Sequence, residues 1–577
     1  MSHSTPASDD PPATSRAPWR AAVIGIVAVL AVAIGLAVGS FLATARVAAI
    51  GAAAEYVPST APFYVELQLE PSAEQDAAAR ELLSRFPAID GVDVGRPLAD
   101  QLAELLDRAL AEDDLDLSWS EDIGPWTDGR VAMAMLDLPP SAMDPMADPM
   151  AMADAPPMVI MLGVTDASAA RTTVARVLDE ADAPDFTTSE HLGISIHASV
   201  DGEGAYAITD DQLIVAASAD DIVAALDAAS TGATLADRDD IASLVSALPD
   251  DWLAFGILDF TGAMQSALEA AGEQSSASAA AMARLLDHQS MRAAFTVSAG
   301  EDGLHFDAAG SPPTGPFSVD TADRGLAAEV PADTLMFSEG GPIGPALAEI
   351  IGAIKEVAAD EPEAADSIRT AEAALGADLE EIVAWIDDGA MAIGWDGTEV
   401  YGGLVLVPSD RAAAARRFDQ LSTFARLAAM DPSTGVSVDE RTVAGVDVVT
   451  LHWEDASAGM MGVATSVSVQ YALTDDRVLI GFGERFVGRA LELDEAGSLA
   501  SVARYTDAVA ALGGPSAAGI AWLDVTGVVS AAEAALGPML EDEADDVMAW
   551  LRPFDRLVAV GRLEGEVLVQ RSVLLVR

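Results

Sequence analysis

Six methionines crowd one short stretch, "PPSAMDPMADPMAMADAPPMVIM" at residues 139–161: Met143, Met146, Met150, Met152, Met158 and Met161. Thioether sulfur is a soft donor suited to Cu(I), and the spacings "MDPM" and "MAM" bring sulfurs close together. Met143, Met146, Met150 and Met152 are therefore metal-ligand candidates. The same stretch is rich in proline, aspartate and small residues, which is the composition of a long turn. On that reading Met158 and Met161 belong to the following strand and to a core, where methionine fills irregular gaps.

Histidine is the other metal-ligating and proton-transferring type present, at His3, His191, His197, His288, His305 and His452. His191 and His197 stand close together with Asp201 and Glu203 following, a donor set that suits a divalent ion. His197 and His452 end the similar strands "ISIH" and "VTLH" and are expected to be equivalent positions on one sheet face. The structural reading is that they are strand-end histidines inherited together.

The remaining search excludes more than it finds. There is no HExxH helix, no GxSxG elbow, no Walker A loop and no ordered GxGxxG, so zinc, nucleotide and dinucleotide chemistry lack their signatures and no cofactor is expected. The single lysine, Lys355 in "AIKEV", has no SxxK serine. Cysteine is absent, which removes disulfides, thiolate metal sites and a thiol nucleophile. The acidic runs "AEDDLD" (111–116), "ADRDD" (236–240) and "EDEADD" (541–546) lack the spacing and closing glutamate of a calcium loop. Asp210-Asp211 and Asp475-Asp476 read as turn residues rather than as a catalytic carboxylate pair.

What would position any such groups is a large, acidic, two-unit chain. Its 577 residues exceed one compact core. Apolar types make up 51%, enough for folded cores. With 93 acidic against 30 basic residues the net charge is -63, a surface that repels nucleic-acid phosphates, so no nucleic-acid partner is expected. Solvation or adaptation to high salt explains such acidity; a cation-binding surface is the sharper alternative.

Residues 1–20 read as a disordered tail on the cytoplasmic side. The uncharged run Ala21–Ala45 then spans a bilayer at about 1.5 Å per residue, flanked by Arg16, Arg20 and Arg46. A cleaved signal peptide is the competing reading, since Ala43-Thr44-Ala45 fits a small-x-small site, but a signal core is shorter. Either way the rest of the chain is expected outside the cytoplasm, in a single-pass protein of the cell membrane.

That remainder is written twice. "YAITDDQLIVAASADDIVAALDA" from Tyr206 matches "YALTDDRVLIGFGERFVGRALEL" from Tyr471, and "ILDFTG" (257–262) matches "WLDVTG" (522–527). "DIGPWTDGRVAMA" (122–134) parallels "EIVAWIDDGAMAI" (381–393), and Val57-Pro58 parallels Val330-Pro331. The order of matches is the same, which marks a tandem duplication. The expected plan is lobe one at 56–310, a linker at 311–325 and lobe two at 326–577. The fold class is α+β: a transmembrane helix, then two lobes of antiparallel sheet with helices covering one face. Copy two turns its first long hairpin with Asp396-Gly397, where copy one carries the methionine segment, so 139–157 is an insertion in a turn that works without it.

The "VP" opening strand after one span, the "D-I-x-P-W-x-x-G-x-x-A" hairpin and the "Y-A-x-T-D-D" repeats resemble an uncharacterised bacterial family of single-pass membrane proteins, known as a domain of unknown function. The resemblance implies no activity and no catalytic residues. Duplication, anchoring and the lack of a catalytic constellation together suggest a non-enzymatic envelope scaffold or binding protein. Its partner would be an envelope protein or an apolar ligand. Cation or Cu(I) handling through the methionine loop and acidic surface is one alternative. An envelope hydrolase built on Asp and Glu is another.

Overall fold

The computed structural model describes residues 51–577 apart from 88–92, 113–116, 139–156, 181–185, 201–203, 263, 266–276, 290–291, 360, 431–434, 454–466 and 537–547. The tail 1–20, the apolar run 21–45, Asp201, Glu203 and the candidates Met143, Met146, Met150 and Met152 lie outside the described residues. Among the described residues no helix is long and apolar enough to cross a membrane.

The chain is mixed helix and antiparallel sheet. In its first half the strands are β1 (Phe63–Gln68), β2 (Thr127–Met135), β3 (Met158–Val164), β4 (Phe186–His191), β5 (Ile194–Ser199), β6 (Ala205–Ile208), β7 (Gln212–Ala216), β8 (Ala254–Asp259), β9 (Arg292–Ala299) and β10 (Gly303–Gly310). The helices are α1 (Ala73–Leu83), α2 (Leu98–Glu112), α3 (Ala167–Glu180), α4 (Ala219–Thr231), α5 (Asp239–Val245) and α6 (Ala277–Leu286).

The second half holds β11 (Ala322–Asp323), β12 (Thr334–Gly340), β13 (Ile386–Trp395), β14 (Val400–Pro408), β15 (Val436–Val443), β16 (Val446–Trp453), β17 (Val467–Leu473), β18 (Val478–Phe482), β19 (Ser516–Ala517), β20 (Gly519–Leu523), β21 (Phe554–Glu564) and β22 (Val567–Val576). Its helices are α7 (Gly344–Ala359), α8 (Pro362–Leu375), α9 (Leu379–Val383), α10 (Arg411–Ala429), α11 (Phe486–Leu491), α12 (Ala503–Ala511) and α13 (Val525–Leu536).

Two large sheets result. The first runs β4-β5-β6-β7-β3-β2-β1-β8-β9, and the second, read from its far end, β15-β16-β17-β18-β14-β13-β12-β20-β21-β22-β10. Position for position the strand orders correspond. The last strand of the second order is the surprise. β10 follows β9 through a turn in which the Gly300 N–H donates to the Gly303 carbonyl at 2.8 Å. It nevertheless pairs with β22 over eight residue pairs, from Gly303↔Leu575 to Gly310↔Leu568. A boundary drawn at residue 311 therefore falls one strand later than the edge of the sheet.

The segment 311–325, expected to be a plain linker, is strapped to lobe two. β11 pairs with β19. Arg324 is buried among acceptors: its Nε donates to Asp388 Oδ1 at 2.8 Å and its Nη1 to the Ala517 carbonyl at 2.6 Å.

Helices cover both faces of each sheet, not one. In lobe one, Tyr64, Met161, Ile196 and Ile214 pack with Ile222 and Leu226 of α4 and Ile241 of α5 on one face. On the other, Val131, Ile160 and Leu162 pack with Leu110 of α2 and Ala170 and Val177 of α3. The physical reason is legible in β3. "MVIMLGV" is apolar at successive positions, and a strand that sends alternate side chains to opposite faces then needs cover on both. Met161 is fully buried there.

Candidate functional site

Each lobe carries an open groove at its outer end, built from the same elements. In lobe two, α10 lies along one side and β15, β16 and β17 form the other, enclosing about 910 Å³ lined by Asp419, Ser422, Arg426, Glu440, Asp447 and Tyr471 among others. In lobe one, α3 and the strands β5 and β6 enclose about 670 Å³ lined by Tyr56, Arg171, Ser195, His197, Tyr206 and Asp210 among others.

Local sequence sets both frames. Each bordering helix starts at an aspartate cap: Asp166 Oδ1 accepts from the Ala169 N–H at 3.0 Å and Asp410 Oδ1 from the Ala413 N–H at 2.9 Å. Each outer hairpin turns on two residues with positive φ, Leu192 (51°) and Gly193 (82°) in lobe one, Ala444 (51°) and Gly445 (84°) in lobe two. Such a pair is what a two-residue turn between twisted strands requires. The "TDD" segments close the far end as turns. The Thr209 hydroxyl accepts from the Gln212 N–H at 2.9 Å, and Thr474 does the same for Arg477 at 3.0 Å.

On these frames the linings diverge. Tyr206 and Tyr471 are equivalent floor residues, Tyr206 half-buried and Tyr471 buried, each with its phenol pushed up by desolvation. Tyr206 stacks on His197 with ring centroids 4.7 Å apart. Tyr471 instead shares a hydrogen bond with Ser422 of α10 and leans on Phe418, 4.9 Å between centroids. The "TDD" turn is tied down differently as well. In lobe one the Tyr56 hydroxyl donates to Asp211 Oδ1 at 2.6 Å, and desolvation together with that carboxylate pushes its pKa up to about 12. In lobe two Glu329 faces Arg477 Nε at 3.7 Å.

The histidines do not form the expected pair or cluster. Register decides it: His197 lies opposite Thr188, Ile194 opposite His191, and Val446 opposite Val443. Counting from the two equivalent turns, His197 matches Val449, and His452 matches the exposed Val200, three residues further on. The similar strand ends "ISIH" and "VTLH" hid this shift. His191 and His197 also point to opposite faces of β4–β5. His197 faces the groove, where partial burial holds its pKa below the usual imidazole value. His191 reaches Asp227 of α4 at 2.7 Å, on the other face. Two donors on opposite faces cannot share one ion. Among the described residues no three of His, Asp and Glu converge on a metal position. His452 contacts Ser468 at 2.8 Å and Asp439 at 3.2 Å.

Two titratable groups that pattern reading passed over lie in the cores. Glu66 of β1 is 1% exposed, and accepts from the Tyr64 hydroxyl at 2.7 Å. Glu339 of β12 occupies the equivalent place, opposite Ala390 as Glu66 is opposite Ala132. It accepts from the Leu326 N–H at 3.1 Å. Burial raises both pKa values, that of Glu339 to about 7. The signal was available: a glutamate inside the strand segments "FYVELQ" and "TLMFSEG" interrupts an apolar run.

Comparison with known proteins adds a family and little else. No curated protein matches the chain. Among solved structures, crystal form I of TP0453 aligns with 46% of this chain and 79% of its own at 9% identity and a TM-score of 0.22. Crystal form III of the same protein aligns with 47% and 82% at 8% identity and a TM-score of 0.22. Over residues 21–557 the sequence matches one family, and the chain belongs to it: DUF3352, proteins of unknown function.

Proposed function

We propose that this is a non-enzymatic binding protein of the cell envelope, anchored by the helix 21–45, with its two lobes outside the cytoplasm and a ligand or partner site in the groove of each. The observation that carries the reading is the recurrence of one groove in both lobes, with the same frame and a tyrosine floor but different linings. A purely structural element has no reason to stay open twice. Function-bearing side chains set on a rigid scaffold are how binding proteins diversify. The anchor rests on the uncharged run, and its length suits a span.

Photo-crosslinking side chains placed at Ser195 and at Asp447 in the full chain test the binding role. The expected result is a discrete adduct from each position in intact cells, absent when the probe sits at exposed Val400, away from either groove. Equal, diffuse labelling from all three positions would overturn it. For topology, a reporter fused after Arg577 is expected to be active only outside the cytoplasm, with the chain retained in membranes; a released mature form would replace the anchor with a cleaved signal.

A further inference from the structure

Behind the groove of lobe two, on the other side of α10, lies a second cavity of about 260 Å³ whose walls are almost wholly apolar: Val383, Trp385, Leu406, Phe418, Leu421 and Ile480. Phe418 is common to the two cavities. Its ring meets Trp385 edge to face at 6.0 Å on the apolar side and Tyr471 at 4.9 Å on the groove side. Counting from the capping aspartates, Val174 occupies the position of Phe418 in lobe one.

From the mouth of this cavity an apolar track climbs α10. Phe424, Leu427 and Met430 follow Leu421 at three-residue steps, and are 43%, 65% and 79% exposed. Successive members are neighbours on the helix surface, and each step turns the track about 60° around α10, so it winds from the cavity mouth toward the end of the helix. Polar groups at the mouth are already engaged with each other: Arg417 donates to Glu381 at 2.7 Å and to Gln420 at 3.1 Å. A smaller apolar cavity, about 150 Å³, is enough to hold benzene. Water gains little in such a space, because it needs polar partners there.

We propose that lobe two binds an amphiphile, with a fused ring or alkyl end in the Trp385–Phe418 cavity and a polar end at the groove. This rests on the reading of the groove as a binding site and names its ligand class. Phe418 is the shared wall, and its rotation joins the two cavities.

The test uses the full chain in lipid nanodiscs, read against empty nanodiscs, and the probe 1-N-phenylnaphthylamine, whose emission rises in apolar surroundings. The expected result is saturable binding at one equivalent, with tryptophan emission quenched in step. Decyl maltoside below its micellar concentration should displace the probe, and maltose should not. Filling the cavity with Leu421→Trp or, separately, with Ile382→Phe at another of its lining positions should weaken probe binding at least tenfold while the melting transition is kept. The control variant Val400→Thr, at an exposed position away from groove and cavity, should leave probe binding intact. Absence of saturable binding overturns the proposal, and so does undiminished binding in whichever filled variant folds, or failure of decyl maltoside to compete. If the filled variants still give the Asp447-position crosslink, the groove reading survives without the amphiphile.

Discussion

Lobe one and lobe two solve the same construction problem with different chemistry. Both hold the "TDD" turn against the opening segment of the lobe. Lobe one does it with Tyr56 donating to Asp211, lobe two with Glu329 facing Arg477. Both put tyrosine on the groove floor, braced by a histidine ring in one case and by Ser422 and Phe418 in the other. The helix, hairpin and turn positions are shared, while the side chains facing the groove are not. Strand order and caps are thus the common scaffold, and the two lobes differ in what lines it.

The largest expected contrast lies in the two tryptophans that precede the long hairpins. Trp126 is 3% exposed and its indole N–H donates to the Asp122 carbonyl at 2.6 Å. Trp385 makes the same kind of bond to Ile382 at 2.5 Å but also lines the apolar cavity. Trp126→Ala is expected to cost about 3–5 kcal/mol. Trp385→Ala should cost measurably less, because one side of that ring already lacks packing partners. Urea unfolding of each variant measures both; equal losses would mean that the lobe-two cavity is closed in solution.

The second contrast is in pH. A carboxyl whose pKa is raised by folding stabilises the fold fully below its unfolded pKa, and that contribution is lost as pH rises toward the folded value. For Glu339 the window runs from about 4.5 to about 7. The loss by pH 8 is up to about 3 kcal/mol. Glu339→Gln, a neutral acceptor of the same shape, should raise stability at pH 8 and flatten that slope. Glu66→Gln should act in the same direction in lobe one. A slope unchanged in the Glu339 variant would place the titration elsewhere.

Smaller effects separate the ties of the two lobes. Tyr56→Phe should cost about 2 kcal/mol, the worth of a hydrogen bond to a charged acceptor, with little dependence on salt. Arg477→Gln should cost less in dilute buffer and lose most of that cost in 1 M salt, which reaches the half-exposed Glu329–Arg477 pair. The reverse salt pattern would remove the distinction between a tie with one charged partner and a tie with two. At the hairpin turns, Leu192→Asn and Ala444→Asn should each stabilise by about 1 kcal/mol, since asparagine tolerates positive φ and branched or β-carbon-bearing apolar side chains do not.

Closest to zero is the methionine segment. β2 and β3 pair through Met135↔Met158, and the Leu136 N–H still reaches the Pro157 carbonyl at 2.8 Å. The strand ends are therefore already side by side. Replacing Pro140–Pro156 with Asp-Gly, the turn used between β13 and β14, should leave stability nearly unchanged. A tight, stoichiometric Cu(I) titration lost on that deletion would instead make the loop a metal site.

The sequence by itself determined what is local or repeated. Alternation and turn residues specified the hairpins, the aspartate caps started α3 and α10, and the matching of "YAITDD" to "YALTDD" located equivalent turns. Those features depend on neighbours a few residues away, so one-dimensional reading reaches them. Register across strands does not, and that is why His197 and His452 looked equivalent until the Leu192-Gly193 and Ala444-Gly445 turns were counted from. Nor does the destination of a strand. β10 reads as the closing arm of its own lobe, yet its edge hydrogen bonds go to β22, because any free edge of compatible length satisfies them. The groove and the cavity beside Phe418 exist only once α10 is laid over the second sheet. An absence of packing is a property of how surfaces meet, and composition carries no trace of it.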